Sequence, residues 1–125
     1  TIEVVSIIDR YLEHPRIFYF RNGGHEEVYL SSADWMVRNI DKRIETLFPV
    51  QQADLKRRLV DFLNVCLGDN VKGRVLHPDG TWELRTPGPD EEPVRAQETF
   101  QRQAEEAAEA IEKRTPEFRP LSKPE

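Results

Sequence analysis

The first third of the chain alternates between apolar and polar positions in short runs that predict β-strands. Residues 2–8 (IEVVSII) are rich in β-branched side chains, which favour strands. Residues 16–21 (RIFYFR) and 26–31 (EEVYLS) flank Asn22-Gly23-Gly24 and are expected to pair as a hairpin, because glycine adopts positive φ without strain. Both faces of residues 16–21 are largely apolar, which predicts that other elements cover both of them.

The middle of the chain predicts a helical turn, a fourth strand and one long helix. Ser32 or Asp34 is placed to cap a short helical turn, and residues 42–48 (KRIETLF) predict a strand that Pro49 ends. Residues 51–67 predict the clearest helix of the chain. The apolar side chains of this helix recur at helical spacing: Leu55, Leu59, Phe62, Leu63, Cys66 and Leu67.

The last third of the chain predicts a second hairpin, a loop and a final helix. Residues 71–77 and 81–85 flank a Pro-Asp-Gly turn and should pair. Residues 86–93 are rich in proline and acids, which predicts a loop. Residues 94–114 predict a helix, and residues 115–125 are expected to be disordered. The helix has a thin apolar stripe, typical of weak docking or a partner contact: Ala96, Phe100, Ala104, Ala107 and Ile111.

Together these elements predict an α/β protein with a mixed β-sheet, flanking helices and a C-terminal helix. The length of 125 residues suits one domain with a modest core. The net charge of −5 lacks the basic excess that nucleic-acid-binding domains use against phosphates, so no nucleic acid is expected as a partner. A small anion could still be held by a local group of cations: Arg10, Arg16, Arg38, Lys42 and Arg43.

The cysteine content and the apolar runs indicate the cellular compartment. Cys66 is the only cysteine, which excludes an intrachain disulfide and suggests a reducing cytosol. Its position in the apolar helical pattern predicts a small core residue and not a catalytic thiol. No transmembrane segment is expected, because no apolar run approaches the roughly 20 residues that a membrane helix needs. The chain begins without Met inside an apolar run, which we interpret as the start of a fragment.

Three motifs follow one another within residues 4–50: R-Y-L-E-H-P-R-I from Arg10, the Asn-Gly-Gly hairpin, and S-A-D-W-M-V-R-N-I-D-K-R-I-E from Ser32. With these motifs, residues 4–50 resemble the C-terminal catalytic subdomain of the polyphosphate kinase family. The likeness continues more weakly at Val71-Lys72 and through V-R-A-Q at Val94–Gln97. Several motifs in the same order and spacing make this resemblance specific.

The resemblance implies reversible transfer of the γ-phosphoryl group of ATP onto the end of an inorganic polyphosphate chain, with ADP as the other product. The family reaction passes through a phosphohistidine, which would lie upstream of Thr1. His14 corresponds to a second active-site histidine, which faces the first and either binds the nucleotide phosphate or acts as a general acid or base. The resemblance also implies Mg²⁺ bound by ligands outside this chain, a cytoplasmic homo-oligomer, and no activity of the fragment alone.

The same resemblance divides the chain into three parts. Residues 1–85 would be the C-terminal catalytic subdomain, truncated at its N-terminus. Residues 86–114 would be a linker and a C-terminal helix, and residues 115–125 a disordered tail.

The catalytic subdomains of that family resemble the phospholipase D fold, whose motifs are H-x-K…D followed by G-S-x-N. The first motif reads His14-Pro15-Arg16 here, with Arg in place of Lys. The second reads Ser31-Ser32-Ala33-Asp34, with Ser for Gly and Asp for Asn. These departures argue against a phosphodiesterase and agree with the kinase variant of the motif.

His14 is the predicted catalytic residue, because imidazole titrates near neutrality and can give or take a proton at a transferred group. Pro15 favours an extended conformation at His14. Arg16 offers a planar fork suited to phosphate oxygens, and the Ser32 hydroxyl could add a hydrogen bond. Asp34 has the wrong sign for a phosphate ligand and is expected to orient His14 or an arginine.

The supporting arginines admit two interpretations. Arg10 and Arg16 could bind phosphate or could be surface charges, and Arg16 could pair with Glu13. Arg38 and Arg43 could contact the substrate directly, but are expected to brace the site in a buried network with nearby acids: Asp34, Asp41 or Glu45.

Several other features have plain structural explanations. His25 should be exposed beside the hairpin turn, and His77 should flank the second turn. Trp35 and Met36 are expected in the core more than as a surface on which a nucleotide base stacks. Two alternative functions stay open at this point: a module that binds polyphosphate or a nucleotide without turnover, and one half of a phospholipase D-type phosphodiesterase.

Overall fold

Six short strands form two separate three-stranded antiparallel sheets among residues 2–112, the part of the chain that this computed structural model describes. The elements follow one another as β1 (Val5–Ile7), β2 (Ile17–Phe20), β3 (Glu27–Ser31), α1 (Val37–Lys42), β4 (Leu47–Pro49), α2 (Ala53–Leu67), β5 (Gly73–Leu76), β6 (Trp82–Leu84) and α3 (Ala96–Glu112). The predicted α/β class is confirmed. The strands divide between two antiparallel sheets, where one mixed sheet was expected, because hairpins supply most of the pairing.

The first sheet has the order β2-β3-β4 and contains the predicted hairpin. Ile17 pairs with Leu30 and Phe20 pairs with Glu27. The turn between these strands is a short 3₁₀ segment, Asn22–Gly24, in which all three residues have positive φ, at 41°, 64° and 103°. These angles are the reason for an Asn-Gly-Gly sequence, because side chains with a branched Cβ would be strained there.

The segment between β3 and β4 differs from the prediction. Residues 37–42 form α1, so the predicted strand over residues 42–48 is reduced to β4, and Pro49 lies inside that strand. Proline is tolerated there because β4 is the edge strand of its sheet. Met36 occupies the position before α1 without a side-chain cap, so neither Ser32 nor Asp34 caps the helix as predicted.

The second sheet has the order β1-β5-β6 and joins the start of the chain to its later half. Val5 pairs with Val75, and Ile7 pairs with Gly73. The second predicted hairpin, β5-β6, is confirmed. His77 flanks its turn as predicted, with the His77 amide donating to the Thr81 carbonyl at 2.9 Å.

The two long helices pack against each other through one aromatic pair. The rings of Phe62 in α2 and Phe100 in α3 are stacked, with centroids 4.4 Å apart and planes 8° from parallel. The α2 helix ends at Gly68 as predicted. Beyond Phe100 the apolar stripe of α3 is exposed, in agreement with weak docking. The last predicted residues of this helix, 113–114, and the predicted disordered tail, 115–125, lie outside the described residues.

Much apolar surface of the first sheet is open to solvent. Tyr19 and Phe20 are exposed, so the prediction that both faces of residues 16–21 are covered is wrong for this chain. Tyr19 and Phe20 are adjacent in β2 and so lie on opposite faces, and both faces are open at the turn end of the hairpin, whereas Ile17 and Phe18 at its other end are half-buried. No helix among residues 2–112 combines the length and the apolarity that membrane crossing requires.

Asp69 is a fully buried carboxylate that connects three elements. Its Oδ1 accepts the backbone amides of Val71, Lys72 and Gly73 at 3.0, 2.6 and 3.1 Å. Its Oδ2 accepts the amide of Ala96, at the start of α3, at 2.8 Å. The carboxylate thereby satisfies backbone donors that would otherwise be buried without partners, and it fixes the end of α2 to β5 and α3.

Candidate active site

His14 lies in the exposed link between β1 and β2. It precedes Pro15, which was expected to keep the backbone of His14 extended. Its imidazole makes no hydrogen bond to any residue within 2–112. Its backbone carbonyl accepts a hydrogen bond from Arg16 Nη1 at 3.2 Å. The histidine side chain is therefore open to a ligand, while its backbone is tied to the neighbouring arginine.

Arg16 and Asp34 form an ion pair in which Arg16 Nε donates to Asp34 Oδ1 at 2.8 Å. The hairpin explains this contact, because the Ser31 amide donates to the Arg16 carbonyl at 3.0 Å and extends the β2-β3 ladder by one residue. Asp34 follows directly after that ladder. The partner of Arg16 is thus Asp34, and the alternative pairing with Glu13 does not occur.

The electrostatics of the site keep Asp34 ionised. Its hydrogen bond to Arg16 holds the pKa of the Asp34 carboxyl below its ordinary value, and the charges of Arg16, His14 and Arg38 act in the same direction. The same contact raises the pKa of Arg16. Asp34 is therefore an anion that orients Arg16, as predicted. Its role in a reaction stays a prediction.

Arg16 retains free donors. A guanidinium has five N–H groups, and one on Nε and one on Nη1 are used by Asp34 and His14. The others make no hydrogen bond within the described residues, and the side chain is 24% exposed. Arg16 can consequently be held by Asp34 and still offer its outer edge to a phosphate oxygen pair.

The hydroxyl of Ser32 is already engaged. It donates to the Glu45 carboxylate and accepts the Thr46 amide at 3.0 Å, while the Ser32 amide donates to the Thr46 carbonyl at 3.0 Å. A hydroxyl has a single donor, so Ser32 would have to release Glu45 before it could donate to a phosphate. In this structure Ser32 connects the end of β3 to the approach to β4. Glu45, which the sequence interpretation considered only as an arginine partner, is the residue that holds it.

Asn39 is a site residue that the sequence interpretation missed. Its side chain is buried in α1, and its Nδ2 donates to the Asp34 carbonyl at 3.3 Å. Its Oδ1 has no hydrogen-bond partner among residues 2–112. A signal existed in the sequence, because Asn39 is a polar residue inside the W-M-V-R-N motif, but its contact with Asp34 depends on the position of α1.

The supporting arginines do not form the expected buried network. Arg38 and Arg43 are exposed, and neither makes an ion pair with a residue in the described range. The physical reason is that Arg38 lies on an exposed face of α1 and Arg43 follows the end of that helix in an extended, exposed stretch. Arg38 still lies close enough to Asp34 to lower its pKa. The guanidinium carbon of Arg10 lies 5.9 Å from the centre of the Tyr11 ring.

Trp35 is not a core residue as expected. Its side chain is 83% exposed and stacks on Phe18, with ring centroids 5.9 Å apart, and Met36 beside it is also exposed. The expectation was wrong because α1 leaves the hairpin here and no other element among residues 2–112 covers the indole. His25 is exposed, as predicted.

The acidic residues of the site do not make up a magnesium site. Asp34 is occupied by Arg16, and Glu45 is occupied by Ser32. No group of three or more His, Cys, Asp or Glu side chains within 2–112 could hold a metal ion. Mg²⁺ ligands from outside this chain, as the sequence resemblance implies, stay a prediction.

Comparison with known proteins gives the family. A family model described as "Polyphosphate kinase C-terminal domain 2" matches residues 1–97. The chain belongs to the polyphosphate kinase family. It is 52% identical to the polyphosphate kinase of Halalkalibacterium halodurans over 99 residues, and this aligned stretch covers 79% of this chain and 14% of that protein. The polyphosphate kinase of Synechocystis sp. is 50% identical over 103 residues, or 82% of this chain and 14% of that protein.

A solved polyphosphate kinase has the same fold over this region. The crystal structure from Porphyromonas gingivalis superposes with a TM-score of 0.78 at 42% identity, over 86% of this chain and 16% of that one. The resemblance inferred from the sequence motifs is thus confirmed at the level of family and fold. The chain spans about one seventh of the length of the curated polyphosphate kinases that it matches.

Proposed function

We propose that this chain is the C-terminal part of an ATP–polyphosphate phosphotransferase, which reversibly transfers the γ-phosphoryl group of ATP to the end of a polyphosphate chain. The family membership and the names of the relatives support this activity. In this proposal residues 1–85 are the catalytic subdomain, residues 86–114 a linker and helix, and residues 115–125 a tail.

One observation carries the proposal. The Arg16 guanidinium is fixed by Asp34 through Nε, lies beside His14, and keeps Nη donors that make no hydrogen bond in the described range. Phosphoryl transfer asks the protein mainly for positioning and charge stabilisation. A pre-oriented arginine next to an exposed imidazole supplies both, because the guanidinium can pair with phosphate oxygens while the imidazole binds phosphate or exchanges a proton.

The proposed reaction uses a second histidine outside this chain. An imidazole nitrogen of that residue attacks the γ-phosphorus, the bond to the bridging β–γ oxygen breaks, and ADP leaves. The phosphoryl group then passes from that nitrogen to the terminal oxygen of polyphosphate. His14 faces the transferred group in this scheme, where it binds the phosphate or moves a proton at the attacking or leaving oxygen. Ser32 binds phosphate once it releases Glu45, and Arg10, Asp34, Arg38 and Arg43 have supporting roles.

The other properties that we propose rest on family membership. They are Mg²⁺ bound by residues elsewhere in the parent protein, a cytoplasmic location, a homo-oligomeric assembly, and no activity of residues 1–125 alone. No activity is expected of residues 1–125 alone, because this chain would be the smaller part of the catalytic machinery. The alternative, a binding module, is tested by isothermal titration with ATP and with polyphosphate. A binding module would bind either ligand tightly.

The decisive experiment replaces His14 in the full-length enzyme. His14→Ala should lose most polyphosphate synthesis from ATP while the protein keeps its thermal unfolding temperature. His25→Ala is the matched control, since His25 is likewise an exposed histidine and lies beside the turn of the β2-β3 hairpin. Wild-type synthesis by His14→Ala would reject the assignment of the site.

A further inference from the structure

We propose that Gln97 and Arg95, in the V-R-A-Q motif before and within the first turn of α3, are positioning residues that hold the segment carrying His14. This inference rests on the proposed function of His14. The segment, residues 9–15, connects β1 to β2 without regular secondary structure and is largely exposed from Arg10 to Pro15. Its conformation therefore depends on contacts with distant residues.

Gln97 makes a reciprocal pair of hydrogen bonds with the backbone of Tyr11. Its Oε1 accepts the Tyr11 amide at 2.9 Å, and its Nε2 donates to the Tyr11 carbonyl at 2.8 Å. Gln97 is only 8% exposed, so these bonds are shielded from competing water. We call this pair of hydrogen bonds the Gln97 clamp. Because it binds the backbone of residue 11, it does not depend on the tyrosine side chain.

Arg95 holds the start of the same segment. Its Nε and Nη2 donate to the two carboxylate oxygens of Asp9 at 2.9 and 2.7 Å, which is the two-pronged geometry that arginine makes with carboxylates. The Asp9 side chain is 3% exposed. Arg95 is the main cause of a lowered pKa at Asp9, so the carboxylate stays charged near neutral pH.

The start of α3 is itself fixed to the body of the domain. The Ala96 amide is held by the buried Asp69 carboxylate at 2.8 Å. The Asn70 side chain accepts the Val94 amide at 2.7 Å and donates to the Glu92 carbonyl at 3.1 Å. The residues that hold Asp9 and Tyr11 therefore project from an anchored support.

The position of the clamp explains why it should affect chemistry. Tyr11 is three residues before His14, a stretch that spans at most about 10 Å. On the other side, His14 is linked to Arg16 and the β2-β3 hairpin. With both ends held, the backbone of His14 is kept beside the arginine. Without the clamp the N-terminal end of the segment is released, and misplacement by about 1 Å can reduce a rate on the order of a hundredfold.

The test uses the full-length enzyme with Gln97→Leu, which removes both hydrogen bonds at similar size. We expect kcat for polyphosphate synthesis to fall at least about tenfold, with a smaller change in KM for ATP. Gln103→Leu is the matched control, because it makes the same substitution at an exposed glutamine of the same helix. It should stay within about twofold of wild type. Wild-type kcat for Gln97→Leu would overturn the inference.

A double-mutant cycle separates positioning from general damage. If Gln97 acts through His14, then Gln97→Leu should have no further effect on kcat when it is added to His14→Ala. Full multiplication of the two effects would show that Gln97 acts elsewhere and would overturn the inference. If Gln97→Leu does not fold, the same cycle is run with Gln97→Glu, which keeps the acceptor for the Tyr11 amide.

The same cycle keeps the two proposals apart. Wild-type kcat for His14→Ala rejects the proposed function of His14. A large loss for His14→Ala together with an unaffected Gln97→Leu rejects only the positioning role of Gln97.

Discussion

Arg16 Nε and Asp34 Oδ1 lie 2.8 Å apart, so the residue before β2 and a residue after β3 are joined across the open end of a hairpin. The pairing lowers the pKa of Asp34. A carboxyl whose pKa falls on folding keeps its stabilising interaction in full at pH values above its ordinary pKa of about 3.9. It loses the interaction only as the pH drops through the lowered pKa. The ion pair is thus intact at neutral pH, which is where a fixed arginine would be needed.

Arg16→Lys should impair the intact enzyme although the charge is kept. A lysine ammonium is a point charge, and it cannot hold Asp34 on one side while it offers a planar pair of donors to phosphate on the other. We expect kcat/KM for ATP to fall at least about tenfold, measured by polyphosphate synthesis. Arg21→Lys, at an exposed arginine after β2, is the control and should leave the value unchanged. Equal values for the two variants would contradict the role of Arg16.

Asp69→Asn should loosen the junction of α2, β5 and α3. The amide nitrogen of asparagine would face a backbone amide, so at least one of four buried or half-buried donors loses its acceptor. We expect the local free energy of unfolding to fall by about 2–4 kcal/mol. Native-state hydrogen exchange with mass spectrometry on peptides covering residues 71–73 and 96 measures this. Asp79→Asn, at an exposed turn, serves as the control, and equal exchange rates in the two variants would count against the buried junction.

Gly73→Ala should destabilise β5 for a steric reason. A Cβ added at this position would lie 2.2 Å from the Asp69 carbonyl oxygen, so the backbone has to move. The expected cost is about 1–3 kcal/mol in the local free energy of unfolding, read from exchange of the β5 amides. Gly88→Ala is the control, since a Cβ there would meet its nearest neighbour at 3.9 Å. A Gly73→Ala protein that exchanges like Gly88→Ala would refute the close approach.

Cys66 should be a slow nucleophile in the folded protein. Burial is the main cause that raises the pKa of its thiol to about 11, so the thiolate is scarce at neutral pH. Labelling by iodoacetamide at pH 7.5, followed on the peptide that contains Cys66, should be much slower in the native protein than in guanidinium chloride. The native rate should rise as the pH approaches about 11. Native labelling as fast as that of the denatured chain would contradict the burial.

Local signals in the sequence predicted most elements of the fold. Asn22-Gly23-Gly24 and the Pro-Asp-Gly turn specify their hairpins through backbone angles, and the α2 helix follows from apolar spacing alone. A short helical turn was predicted before β4, but the start of α1 at Val37 was not, because Met36 before it gives no side-chain cap. The separation into two sheets could not be predicted either, because β1 pairs with β5, about seventy residues later.

The candidate site was predictable to the extent that the hairpin builds it. His14, Arg16 and Asp34 come together because β2 and β3 pair in the register that the turn dictates. The state of Ser32 was not predictable, since Glu45 reaches it only after α1 has turned the chain. Long-range packing also decides the exposure of Arg38, Arg43 and Trp35, which no local pattern encodes.

The Gln97 clamp has a consequence for the order of events during synthesis. Tyr11 and Gln97 are 86 positions apart. At ordinary rates of translation, Tyr11 is therefore synthesised on the order of ten seconds before Gln97. The β2-β3 hairpin, whose pairing is local, can form in that interval. The histidine beside it acquires its full set of constraints only after the first turn of α3 has emerged. A nascent chain stalled before that point would carry the arginine–aspartate pair and a His14 segment held only from the Arg16 side.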